Sequence, residues 1–134
     1  MHRLWRAIAI AWASPYTLAG LVIGAFGLCF GARAQRRGCV IEFHGGGVQW
    51  FVRHLPLGEA TLAFTLGHTV LGQTAAALDI AREHELVHVR QFERWGLLMG
   101  PAYLGWSLFL WCTGRRPYLD NPFEREAYEH SGDL

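Results

Sequence analysis

Residues 73–95 read QTAAALDIAREHELVHVRQFERW, and Gly96 follows them. Leu78, Ala81, Glu85, His88 and Phe92 recur at three- and four-residue steps, the spacing of one helix face. A helix is therefore expected from Gln73 to about Trp95. Within it, His84-Glu85-Leu86-Val87-His88 spells H-E-x-x-H. Two imidazoles four residues apart share a helix face and reach one metal ion together. Zinc takes nitrogen donors in a near-tetrahedral shell, and two histidines fill half of it. Glu85 lies a step further round, within reach of a water on the metal but not of the metal itself. Zinc brings such a water's pKa to about 7, and a carboxylate base completes the deprotonation. His84 and His88 are thus expected zinc ligands, and Glu85 the expected base. The competing reading is a salt-bridged surface face, with both histidines solvated and Glu85 paired to an arginine.

Upstream, short strands are expected. Cys39–His44 carries β-branched and aromatic residues between Gly38 and Gly45. Gly45-Gly46-Gly47 signals a turn, with Val48–Val52 as the hairpin partner. Ala60–Thr65 alternates apolar and polar residues and reads as a third strand; Gly67–Leu71 extends it or adds a fourth. His44, His54 and His68 lie in or beside these strands and are not enlisted for metal. Downstream, Gly96–Cys112 is a second apolar stretch, broken by Gly100-Pro101 and Gly105. A last helix is expected from Asn121-Pro122, since asparagine caps helices well and proline suits the first turn. The fold class is therefore α+β: a small antiparallel or mixed sheet of three to four strands, the HExxH helix, an apolar helical segment, a C-terminal helix and an N-terminal apolar helix.

That N-terminal helix comes from Ala7–Gly31, which holds no charged residue; arginines flank it on both sides. Such a run is long enough to cross a bilayer. A secretory signal peptide ending at Ala32-Arg33-Ala34 and a buried core helix are the other readings. Gly20, Gly24, Gly27 and Gly31 give small-xxx-small spacings that permit close approach of a second helix. The expected division is an apolar membrane segment, 1–37, and a metallopeptidase domain, 38–134. Half of the 134 residues are hydrophobic and 17% charged, which is greasy for so short a chain. A net charge of +1 gives no bulk attraction for nucleic acid. The three cysteines, Cys29, Cys39 and Cys112, make neither a disulfide framework nor a thiolate zinc site.

A catalytic zinc needs a third protein ligand. No histidine occurs in 89–99, which excludes the metzincin spacing. Glu93 points away from the zinc-facing side, and Asp120 precedes the Asn121 cap. Glu124 and Glu126 of the last helix remain, with Glu129 a distant third. They are two residues apart, so only one should bind. Glu124 stands three residues after Asn121, where it also fits a capping box. Tyr103, Tyr118 and Tyr128 are candidates to donate to an oxyanion, and nothing in the sequence chooses among them.

HELVHVRQ, an apolar stretch and then NPFEREAY resemble small bacterial gluzincin-type zinc peptidases, the minimal gluzincins and, more distantly, the membrane-embedded M48 and M56 peptidases. The resemblance spans roughly residues 61–128. It implies that Glu124 is the third zinc ligand, by likeness to the E-x-x-A-D element aligned on Ala127. Tyr128 then stands where that family often has an acid supporting a ligand histidine. It implies further that residues 60–71 form the sheet edge to which substrate peptide adds as a strand. The expected activity is zinc-dependent peptide-bond hydrolysis, with peptide or protein substrates and a membrane location. The alternative is a non-catalytic or inactive zincin-fold membrane or regulatory protein with a structural metal.

Overall fold

Thr74 opens the long helix by accepting a hydrogen bond from the Ala77 N–H at 3.0 Å. From there the helix runs unbroken to Trp95, and every other element is placed by reference to it. The computed structural model describes residues 2–131. Among these the order is α1 (His2–Leu28), β1 (Arg33–Arg37), β2 (Val40–His44), α2 (Gly46–Arg53), β3 (Ala63–Leu66), β4 (Thr69–Gly72), α3 (Ala75–Trp95), α4 (Met99–Cys112) and α5 (Pro122–Ser131). The fold is α+β, with a mixed four-stranded sheet in the order β1-β2-β4-β3. β1 and β2 are antiparallel, β2 and β4 parallel, and β3 and β4 antiparallel. β3 is therefore one edge of the sheet and β1 the other.

Val48–Val52 is not the hairpin partner of β2. It belongs to α2, and the triple glycine is a strand-to-helix corner. Gly45 and Gly46 have φ of 78° and 47°, a left-handed conformation that side chains resist. Val48 and Val52, four apart, are both fully buried, whereas Trp50 is exposed. Helical spacing, not alternation, explains that burial. The parallel β2–β4 pair needs a crossover, and α2 lies on it. The region 60–71, read by resemblance as one edge strand, holds β3 and the fourth strand that Gly67–Leu71 offered as an alternative; of these two, β3 lies at the edge and β4 inside the sheet. β1 was not anticipated, because RAQRR has no apolar alternation. Its side chains are mostly exposed, and a charged edge strand discourages pairing with other chains.

Glu42 on β2 ties the sheet to α3. Arg82 donates to both its carboxylate oxygens at 3.0 Å, and Gln35 of β1 donates at 2.7 Å. Glu42 is only 2% exposed, so this is a buried ion pair. Burial alone would raise its carboxyl pKa; the Arg82 and Gln35 hydrogen bonds outweigh that and hold it below the usual value.

α1 is long and apolar enough to cross a membrane. It nevertheless lies along the folded domain for most of its length. Its buried residues are Ala13, Gly20, Gly24 and Gly27. A Cβ at Gly20 would stand 2.7 Å from Thr69 Cβ, and one at Gly24 would stand 2.5 Å from the Phe43 ring. Gly27 faces Val48 and Gly47 of α2. The glycine stripe is thus a slot for the sheet and for α2. Thr17 accepts from the His68 N–H, and Tyr16 donates to the Leu97 carbonyl, so the two sides are also hydrogen-bonded.

Candidate metal centre

His84 and His88 sit on the buried face of α3, and neither is solvated. Their Nε2 atoms lie 3.2 Å apart. The Glu124 carboxylate comes in from α5, with Oε2 3.2 Å from His84 Nε2 and Oε1 2.8 Å from His88 Nε2. A tetrahedral zinc with bonds of about 2.0–2.1 Å holds its donors roughly 3.4 Å apart. The three observed spacings are close to that, and the donor set of two imidazoles and one carboxylate suits a divalent transition metal. Burial disfavours charge on both Glu124 and His88. The contacts of Glu124 with His84 and then His88 override it: Glu124 falls to about 2, and His88, also facing Glu85, rises to about 9. Glu124 is thus a buried carboxylate that requires a positive partner.

Packing of α5 on α3 delivers Glu124. Asn121 is fully buried and caps α5, its Oδ1 accepting from the Phe123 N–H at 3.0 Å. Its Nδ2 donates to the Tyr103 carbonyl and to Ser107 Oγ of α4. The Asn121 N–H goes to the Tyr118 carbonyl, so Glu124 does not close a capping box and its carboxylate faces the histidines. Glu126 points elsewhere, to Gln91 and Arg94. Glu85 is buried beside the pair and accepts from Thr65 Oγ1 of β3 at 2.5 Å. Its partner is a threonine on the edge strand, not an arginine.

Gln91 was not singled out from the sequence, yet it fixes His88. It is fully buried, and its Nε2 donates both protons, to the Phe123 carbonyl and to Glu126 Oε1. Its Oε1 is therefore left facing His88 Nδ1 at 2.8 Å. Nδ1 must then carry a proton, so Nε2 is the nitrogen turned toward Glu124 and His84. A signal existed: Gln91 stands three residues after His88 on the same helix, one turn along the same face.

Comparison with protein-family descriptions, curated proteins and solved structures returns no match.

Tyr103, Tyr118 and Tyr128 gather at the cluster. Tyr103 donates to Glu124 Oε1 at 3.3 Å, the Tyr128 ring meets the His84 ring edge-on at 4.5 Å, and the Tyr118 and Tyr128 hydroxyls are 3.4 Å apart. Burial, and then the Glu124 charge, hold the Tyr118 phenol above its ordinary value. Of the histidines left aside, His54 stacks on Trp50 at the surface. His68 is buried near Glu93, Nε2 to Oε1 3.7 Å. It stays apart from His84, His88 and Glu124.

Proposed function

We propose that this chain is a zinc-dependent peptidase of the gluzincin type that works at a membrane surface. One observation carries the reading: HExxH and a downstream glutamate, 36 residues beyond His88, converge on one buried point with Glu85 beside it. His84, His88 and Glu124 would hold the metal. When bound, zinc supplies a Lewis acid that makes water acidic and polarises a carbonyl. Glu85, held by Thr65, would take a proton from the attacking water and return it to the leaving amine. Tyr103, Tyr118 and Tyr128, which gather beside the cluster, are the candidate donors to an oxyanion. The free edge of β3 offers backbone groups to an extended peptide, and Thr65 links that edge to the base.

The membrane part of the proposal rests on the surface. Each of the six tryptophans is more than a third exposed, an arrangement that suits a bilayer interface better than water. Leu104, Leu108, Phe109 and Trp111 of α4 and Leu18, Val22 and Phe26 of α1 add exposed apolar area.

A structural-metal reading is favoured by one fact, the burial of all three donor residues. Elemental analysis with peptide-library turnover separates the two. The peptidase reading expects about one zinc per chain, retained in Glu85→Gln with turnover abolished, and lost in His84→Ala. Zinc without turnover in wild type supports the structural alternative. No zinc after metal-replete preparation sinks both.

A further inference from the structure

On the face of α3 opposite the metal centre lies a cleft of about 550 Å³, between the N-terminal turns of α1 and the β1–β2 turn. Arg6, Arg37, Arg90 and Arg94 line it, with Cys39 and a single carboxylate, Glu93. Four guanidiniums against one acid leave a formal excess of +3, whereas the whole chain carries +1. Neutralisation from outside the cleft is partial. Arg37 reaches Glu42 at 3.8 Å, an acid already bound by Arg82, and Arg94 shares Glu126 with Gln91. Arg6 donates to the Cys39 sulfur, a weak acceptor for a guanidinium. Arg90 is exposed and has no ion-pair partner among the described residues.

The geometry points to an anion site for a phosphate group. Guanidiniums converging from three elements offer the forked donors that match phosphate oxygens. The cleft has room for a headgroup-sized ligand. Leu4 and Trp5, in the same turns as Arg6, are both about two-thirds exposed, so the cleft has an apolar edge. A phosphate diester seated on the arginines would lay its acyl chains along that edge; free phosphate meets the same guanidiniums without it. None of the four arginines pairs with His84, His88 or Glu124; Arg94 alone is linked to the metal centre, through Glu126 and Gln91.

Full-length protein in an uncharged detergent is titrated with inorganic phosphate, and its partition onto phosphatidylglycerol/phosphatidylcholine vesicles is compared with pure phosphatidylcholine. The variants are Arg90→Gln, the double Arg6→Gln/Arg90→Gln, and Arg115→Gln/Arg116→Gln as a charge-matched control. Arg94 is left intact because it also holds Glu126. The acidic-lipid preference of wild type should fall about tenfold or more in the double variant and remain within about twofold in the control. Arg90→Gln, which breaks no internal contact, should show part of the loss. If inorganic phosphate competes with the vesicles, a lipid headgroup occupies the cleft. If phosphate binds without any lipid preference and the double variant loses it, the ligand is a soluble phosphate. Equal loss in the control, or no loss in either arginine variant, would overturn the proposal.

Discussion

Gln91 shows how much one uncharged side chain decides. Its amide takes His88 Nδ1 at 2.8 Å and spends both protons on the Phe123 carbonyl and Glu126. That fixes the ring's tautomer and its rotation together. Outer partners of ligand histidines typically contribute 10–100-fold in metal affinity. Gln91→Leu should therefore weaken zinc binding by about that factor while leaving near one equivalent at saturation. Competition against a chromophoric chelator measures it, and an affinity equal to wild type would remove Gln91 from the site. His84, Glu85 and His88 were legible from a five-residue spacing, because helix geometry alone places them. Gln91 was not legible as a partner, since its role depends on where α5 packs. Residue spacing left Glu124 and Glu126 both open, and only the likeness to the E-x-x-A-D element favoured Glu124. The choice between it and Glu126 is made by the rotation of α5, which Asn121 sets through Tyr103 and Ser107.

Between elements, the Glu42–Arg82 pair and the α1 glycine slot hold the layers together. Without Arg82, the buried Glu42 carboxylate keeps only the Gln35 hydrogen bond and the more distant Arg37. Arg82→Met should therefore lower unfolding stability by about 1–3 kcal/mol at neutral pH, read from urea midpoints. Acid provides the complementary test. Glu42 is held below its ordinary value of about 4.3, so its contribution is complete above that pH. It is lost as pH falls through the depressed folded value. The stability gap between wild type and Glu42→Gln should thus close on going from neutral to strongly acid solution; a gap independent of pH would refute the assignment. In the slot, Gly24→Val drives a side chain into the Phe43 ring and should cost about 1–3 kcal/mol. Gly31→Val gives no such clash, but its φ of 88° adds strain, so Gly105→Ala, with open space around it, is the cleaner control. Equal stability of Gly24→Val and wild type would mean that α1 does not pack there. Strands β2, β3 and β4 and helix α3 were readable from local pattern. α2 was misread because V-x-W-x-V fits both periods over five residues, and only the buried Val48–Val52 face separates them. β1 could not be read, because its pairing with β2, not its own composition, makes it a strand.

At the scale of the molecule, length and packing give opposite answers about α1. Its 27 residues extend about 40 Å, more than the roughly 30 Å of a hydrocarbon core. Yet Gly20 touches Thr69, Thr69 pairs with Ile41, and Ile41 pairs with Arg36. The charged strand β1 therefore runs beside the C-terminal half of α1, with the buried Glu42–Arg82 pair next to it. A spanning α1 that kept these contacts would carry Arg36 and its neighbours into lipid, at several kcal/mol for each charge. If the proposed membrane location holds, the packing fits a helix that would lie in the interface, glycine face on the domain and apolar face toward lipid. The two arrangements differ in topology, which single cysteines can report. In a background with Cys29, Cys39 and Cys112 replaced by serine, Cys29 is restored alone, or His2→Cys is introduced alone. Both positions are exposed and stand at opposite ends of α1. A membrane-impermeant maleimide added outside sealed vesicles should treat the two alike, either labelling both or labelling neither until the vesicles are opened. Labelling of one position but not the other would put the ends of α1 on opposite sides, and the helix would have to leave the sheet to cross.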